Sequence, residues 1–271
     1  MKRYYLGFLL VLVVALAAVV FLGANFIKTY ISELSNKFQN TTNEAISAPV
    51  LSGNYQYLIK NGIQIQVGKF DINVFKSPSD KLFTSQEVAL QNLDQVVVNG
   101  GYFTETKDYI GLLWNGNERL GRISVGNQQA THIAHFDKQT GRLEFLSSLD
   151  FTDSDFNQDT NNIYFQTGPL IIDHNEVQTS LIDRSINGNQ SALRSFIGYT
   201  ESGKIFVGVT TQGYDLRNLG EMLLSKDFFE GETISVINLD GGSSTSIYSS
   251  ENAEEMSFRD FKELPYFVEF K

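Results

Sequence analysis

The chain has 271 residues, 42% hydrophobic and 19% charged, with 22 Gly, 4 Pro and no Cys. Without cysteine it has no disulfide, no thiolate metal site and no cysteine nucleophile. Net charge is −10; residues 1–37 carry Lys2, Arg3, Lys28 and Lys37 against Glu33, so the remainder carries −13, and an acidic body repels nucleic acid and anionic lipid.

Residues 6–22 (LGFLLVLVVALAAVVFL) are apolar and uncharged. A helix of about 18 residues covers about 27 Å, close to the hydrocarbon thickness of a bilayer. Lys2 and Arg3 precede the run, which keeps the N-terminus cytoplasmic and sends the body to the periplasm or cell exterior. Residues 1–25 read as a single-pass transmembrane signal-anchor. A cleaved signal peptide fits less well, because the run exceeds the usual ~7–15 residues and Leu22-Gly23-Ala24 has leucine where a small residue is wanted. Phe26, Ile27, Tyr30, Ile31, Leu34 and Phe38 continue at helical spacing as an amphipathic stalk, suited to lie on the membrane or to pair with a second copy. Residues 39–53 are a polar linker, so 26–53 is stalk and linker and 54–271 the exported domain.

Alternation predicts strands at 55–60, 63–67 and 70–75, with Asn61-Gly62 as a hairpin turn. Residues 84–93 predict a helix capped by Thr84 or Ser85, with Glu87 in its first turn. Strands follow at 95–98, 111–114, 132–136, 142–146, 163–166, 170–173, 193–199 and 204–210, a second helix at 216–228, then strands at 233–239 and 245–249. Many strands and few helices predict an α+β domain with a large mixed β-sheet, and no internal repeat is visible.

Two strand ends look alike. Val96-Val97-Val98 runs into Asn99-Gly100-Gly101-Tyr102-Phe103, and Val236-Ile237-Asn238-Leu239 into Asp240-Gly241-Gly242-Ser243-Ser244. Alone, Asn-Gly or Asp-Gly is a hairpin turn. Here each has a glycine beyond what the turn needs, after a run apolar on both faces, as in central strands whose carboxyl ends line ligand sites. Glycines let another group approach the backbone, and consecutive amides form an anion-binding concavity. Arg194 sits in a strand with little else polar, so it needs an anion: an internal carboxylate or a substrate phosphate. Gly168-Pro169 breaks a strand and could turn Gln166 and Thr167 into a cleft.

These motifs, NGGYF at 99–103, QTGPLII at 166–172, LRSFIG at 193–198 and INLDGGSST at 237–245, occur in the order found in the phosphodiester glycosidase family, which the chain resembles over residues 71–248. Asn99, Gly100, Gly101, Gly168, Pro169, Arg194, Asp240, Gly241, Gly242 and Ser243 match the family's pattern. Asp173-His174-Asn175 and Thr211-Gln212-Gly213-Tyr214 depart from it where the family has Asp-Gly. The resemblance implies a hydrolase that cuts a sugar-1-phosphodiester at the glycosidic C–O bond, and bacterial members carry a nominal link to exopolysaccharide metabolism.

Ordinary glycosidases need two carboxylates, one as acid. A phosphate leaves already ionised, its last pKa being about 6, so strong acid catalysis is less necessary. Arg194 with the amides and hydroxyls of 241–244 is assigned to the phosphate. Asp240 is assigned as base or nucleophile, and Asn99 as the group that positions sugar or water. Gly100, Gly101, Tyr102, Gln166, Thr167 and Gly168 line the substrate, and Tyr102 or Trp114 stacks on the sugar. His132 and His135 face opposite sides of a strand and make no metal pair. Asp153, Asp155, Asn157 and Asp159 start like a calcium loop but lack its glycine and closing glutamate. Asp183 and Asp215 read as surface groups, His174 as an exposed turn, and Glu251, Glu254 and Glu255 as a solvated run. Nothing calls for a cofactor or metal, and the expected partners are a glycan or sugar phosphodiester and the membrane. A glycan-binding module without catalysis and a phosphodiesterase acting at phosphorus are the competing readings.

Overall fold

The computed structural model describes residues 51–52, 55–78, 80–92 and 96–271. The expected membrane helix, the stalk and most of the linker lie outside these residues. No helix among the described residues is long and apolar enough to cross a membrane.

The elements in chain order are β1 (Leu51–Ser52), β2 (Tyr55–Lys60), β3 (Ile63–Gly68), β4 (Ile72–Lys76), α1 (Ser85–Asn92), β5 (Val96–Asn99), β6 (Leu113–Trp114), β7 (Arg119–Leu120), β8 (His132–Asp137), β9 (Arg142–Ser147), β10 (Asn162–Thr167), β11 (Leu170–Asp173), β12 (Glu176–Val177), α2 (Thr179–Arg184), β13 (Ser195–Thr200), β14 (Ile205–Thr210), α3 (Leu216–Leu223), α4 (Lys226–Phe229), β15 (Ile234–Asn238), β16 (Ile247–Ser249), α5 (Ala253–Met256) and β17 (Tyr266–Phe270). The fold is β-rich with few helices, but the expected mixed sheet is absent. Instead there are three sheets, ordered β1-β2-β3-β14-β13-β15-β11-β12, β7-β6-β10-β8-β9 and β16-β5-β17-β4. Every strand pair in them is antiparallel.

Local signals account for much of this. Asn61 (φ 51°) and Gly62 (φ 68°) make the left-handed turn that a two-residue hairpin requires. At the start of α1, Glu87 N–H donates to Thr84 Oγ1 (3.1 Å) and Thr84 N–H to Glu87 Oε2 (3.0 Å), a reciprocal cap. Asp215 caps α3 by accepting from Asn218 N–H at 2.9 Å. The single helix expected at 216–228 is two, because Ser225 takes an extended backbone (ψ 156°) between α3 and α4.

All three sheets contribute to one core. Val96 and Val98 of β5, Val268 and Phe270 of β17, Phe136 of β8, Phe165 of β10, and Ile197, Val207 and Ile237 of the eight-stranded sheet pack together. Each sheet is covered on its other face as well. Leu216, Leu219 and Leu223 of α3 pack with Ile171, Phe196 and Phe206. Val88 and Ala89 of α1 pack on Val97 and Phe267. Leu112, Trp114, Ile133, Phe151 and Tyr164 form the fourth cluster. Burial on both faces explains the continuous apolar runs of β5 and β15, which parallel pairing does not. On the eight-stranded sheet Gly198 faces Phe206 and Gly208 faces Phe196 across the β13–β14 pair. A Cβ on Gly198 would come within 2.2 Å of the Phe206 ring, so the glycines make room for the two aromatics.

Candidate functional site

The site is built where the three sheets meet. Asn99 ends β5 in the four-stranded sheet, Asn238 ends β15 in the eight-stranded sheet, and Gln166-Thr167 ends β10 in the five-stranded sheet. The two glycine-rich tips thus arrive from different sheets and touch. Asp240 N–H donates to Gly100 O (3.2 Å), and Asn99 Nδ2 donates to Asp240 O (2.6 Å).

Asn99 is 1% exposed and holds the seam together. Its Oδ1 accepts from Ser195 Oγ (2.5 Å) and Ser246 N–H (3.1 Å), so one carboxamide ties β5 to β13 and to the chain after the second tip. Gly100 N–H donates to Tyr266 O at 2.9 Å, and a Cβ on Gly100 would lie 3.0 Å from the Tyr266 side chain. A Cβ on Gly101 would meet the Tyr109 hydroxyl at 2.3 Å. Both glycines of the first tip are therefore demanded by close packing, and neither has positive φ.

Asp240 is partly exposed at the start of the second tip. Its Oδ1 accepts from Gly241 N–H at 2.9 Å, and it bonds the Ser244 hydroxyl. Burial pushes its pKa up to about 6, against the pull of these two donors. It forms no ion pair among the described residues. Gly242 (φ 60°) turns the chain into a single 3-10 turn at Gly242–Ser244. The cradle of free amides expected here is mostly spent inside the tip. Gly241 N–H serves Asp240, Gly242 N–H donates to Leu193 O (2.8 Å), and Ser244 N–H donates to Gly241 O (3.1 Å).

Arg194, 5% exposed, lies immediately before β13. The carboxylate partner considered from the sequence is not there. Nε donates to Tyr214 O (2.9 Å), and Nη2 donates to Asn187 O (2.7 Å) and Gln190 O (2.5 Å). Three backbone carbonyls hold the guanidinium without neutralising it, and Nη1 makes no hydrogen bond among the described residues. Burial lowers its pKa. A Cβ on Gly241 would lie 3.8 Å from Arg194 Cα and Cδ, so the arginine flanks the second tip. Tyr102 stands within electrostatic reach of both Asp240 and Arg194. Burial and the Asp240 charge raise its pKa, which keeps the phenol neutral. Asn99, Arg194, Asp240 and Tyr102 are brought together.

Asn238 was missed in the sequence. Its Nδ2 donates to Tyr102 Oη (2.8 Å), while Tyr102 Oη donates to Gly168 O (2.8 Å). The two groups fix the ring against the turn at the cis Gly168-Pro169 bond. The signal was the Asn immediately before Leu239-Asp240, a polar side chain in an otherwise apolar strand end.

Three expected contacts go elsewhere. Gln166, fully buried, uses its whole amide on one loop: Oε1 accepts from Leu112 N–H (3.0 Å) and Ser124 N–H (2.9 Å), and Nε2 donates to Ser124 O (2.7 Å) and Ala130 O (2.8 Å). Thr167 Oγ1 donates to Asn238 O (2.9 Å). Trp114 is buried against Phe156 with Nε1 donating to Asp159 O (3.3 Å), because strand alternation turns it to the outer face of the five-stranded sheet. Gln166→Leu is expected to cost about 3–5 kcal/mol, since it leaves four buried backbone groups unpaired; a denaturant melt showing less than 1 kcal/mol would contradict the bonding just described.

His132 faces the inner core side with Ala134 and Phe136, and burial lowers its pKa to about 4. His135 faces the other side, stacked on Tyr164 at 4.4 Å and bonded to Glu144 and Asn162. Asp153 pairs with Arg119 (2.8 Å) and Asp183 with Arg217 (3.0 Å). His174, in its turn, has φ 46° and is exposed. Among the described residues no group of three or more His, Asp or Glu is arranged to hold a metal.

With this geometry in view, the comparisons are decisive on kinship. The sequence profile of the phosphodiester glycosidase family matches residues 93–265. The chain belongs to the phosphodiester glycosidase family. The match spans both glycine tips, the cis-proline turn and Arg194, and it extends past β16, beyond the reach of the motifs read from the sequence. Among solved structures, the zebrafish N-acetylglucosamine-1-phosphodiester alpha-N-acetylglucosaminidase catalytic domain, auto-inhibited by its pro-peptide, superposes with a TM-score of 0.57 at 15% identity, covering 83% of this chain and 86% of that one. A Burkholderia pseudomallei protein superposes with a TM-score of 0.50 at 10% identity, covering 81% of this chain and 75% of that one. At these identities the likeness is one of fold. No curated protein matches the chain.

Proposed function

We propose that this phosphodiester glycosidase is a hydrolase that cleaves a sugar-1-phosphodiester between the anomeric carbon and the bridging oxygen. The observation that carries the reading is one carboxylate and one guanidinium, neither in an ion pair, on the same inter-sheet seam: Asp240 with its pKa near 6 and Arg194 with Nη1 unspent. An anion is what such a seam accepts, and a phosphodiester is an anion that departs without a proton.

In the mechanism, the C1–O bond breaks and its electron pair goes to the phosphate oxygen. Arg194 Nη1 balances the charge that gathers there. Asp240 either takes the proton from the attacking water or adds to C1 and is released by water in a second step. Asn99 does not position the sugar directly, since its carboxamide is fully engaged; it holds Asp240 in place. Tyr102, neutral and fixed by Asn238, offers a ring for the sugar face. The apolar run at 6–22 and the acidic body support an envelope location, with the glycan phosphates found there as the substrate class.

The test is hydrolysis of a sugar-1-phosphodiester panel in ¹⁸O-labelled water. Label in the released sugar is the expected result. Label in the phosphate would mean attack at phosphorus and would overturn the reading.

A further inference from the structure

Arg259 belongs to none of the motifs that mark the site. It lies between α5 and β17 with φ 50°, a left-handed conformation that side chains other than Asn, Asp and Gly rarely adopt. What that backbone achieves is visible in its contacts. Nη1 donates to Gly242 O (3.0 Å) and Nη2 donates to Ser243 O (3.0 Å). The planar fork of the guanidinium thus grips the two carbonyls of the second glycine tip, immediately after Asp240 and Gly241. A guanidinium carries five N–H donors. Two are spent on these carbonyls, and the other three make no hydrogen bond or ion pair among the described residues.

The tip therefore has an arginine on either flank, Arg194 beside Gly241 and Arg259 across Gly242 and Ser243. Between them Ser243 is exposed, and its hydroxyl makes no hydrogen bond among the described residues. In a chain of net charge −10, two arginines without a carboxylate beside the same short turn need an external anion to balance them.

We propose that Arg259 is a second anion-binding and positioning residue of this site, which meets the substrate's phosphodiester group from the solvent side while it holds the carbonyls of Gly242 and Ser243 away from that group. The inference rests on the phosphodiester reading above and deepens it. It makes the site bidentate, with Arg194 on the buried side of the phosphate and Arg259 on the exposed side. Neutral glycosides, which offer no anion between the two, would be poor ligands.

The test uses the full chain with Arg259→Gln and Arg259→Lys. It measures the dissociation constant for inorganic phosphate and for dimethyl phosphate, together with kcat and KM on a sugar-1-phosphodiester. For Arg259→Gln both dissociation constants and KM should rise about 10- to 100-fold, the loss of one charge-assisted contact, while kcat falls less than about threefold and the melting temperature is unchanged. Arg259→Lys keeps the charge but cannot span two carbonyls, so it should fall between the two. Unchanged phosphate affinity in Arg259→Gln, or a fall in kcat at constant KM, would overturn the proposal and leave the phosphodiester reading standing. If the unsubstituted protein itself bound neither anion, both would fall together.

Discussion

Asp240→Asn is expected to cut turnover of a sugar-1-phosphodiester by at least about a thousandfold, as loss of a catalytic carboxylate does elsewhere, and at the same time to make the protein more stable at neutral pH. The two effects share one cause. Burial raises the Asp240 pKa from 3.8 to about 6, so the folded state holds a proton that the unfolded state has already released. A raised carboxylate pKa contributes stability that is present at low pH and lost as pH climbs through about 6. At pH 7.5 the folded protein carries a partly buried charge that asparagine would not carry. The full shift corresponds to about 3 kcal/mol, and solvent at this partly exposed group reduces it to about 2 kcal/mol. That is a gain of about 4–8 °C in melting temperature for a domain of this size. The gain should vanish near pH 4, where Asp240 is protonated in the folded protein too. Asparagine retains an oxygen for the Gly241 N–H, so the tip keeps its shape. An inactive variant with no pH-dependent gain would mean that the carboxylate is not desolvated as described. A variant that kept its activity would remove Asp240 from the chemistry. In the unsubstituted enzyme, kcat/KM should rise with pH through about 6, as a base or nucleophile requires.

Arg194→Met should be nearly as damaging, by two separable routes. Three carbonyls, of Asn187, Gln190 and Tyr214, lose their donor, which costs about 2–4 kcal/mol of stability. The cation facing the phosphate is lost as well, which costs about a hundredfold or more in kcat/KM on phosphodiesters. Low temperature separates the routes, because there the variant stays folded and only the second loss persists. Unimpaired kinetics in cold, folded Arg194→Met would reduce the arginine to a brace for the 187–190 loop.

Most strands were legible because antiparallel strands carry their own turns, and Asn61-Gly62 and the Thr84–Glu87 cap are short-range signals. The pairing was not. A run such as Val96-Val97-Val98 announces burial on both faces, and sheets buried on both faces are usually parallel; here two packed layers and a helix supply the burial instead. The strand Tyr266–Phe270 was missed altogether, although it lies between β5 and β4 and supplies the carbonyl that holds Gly100. Its partners are nearly 170 residues away, and nothing local marks it beyond five residues, Tyr-Phe-Val-Glu-Phe.

The site fared similarly. Asn99, Arg194 and Asp240 stood out because a polar group at the end of an apolar strand, or an arginine inside one, demands a partner. What the sequence did not show was which groups would be used up internally. Gln166 and Thr167 carry the same donors and acceptors whether they face a ligand or a loop, and only the coordinates of the 110–130 loop decide between the two. Arg259 had no pattern to betray it, since its meaning lies in a backbone turn and two distant carbonyls.

The two glycine tips are carried by different sheets and joined by only a few polar contacts across the seam. Relative sliding of those layers by even an ångström would part Asp240 from its neighbours while leaving both β-structures intact. Catalytic competence is thus a more sensitive gauge of layer alignment than circular dichroism. Under mild heat, pressure or low denaturant, activity should fade well before ellipticity does.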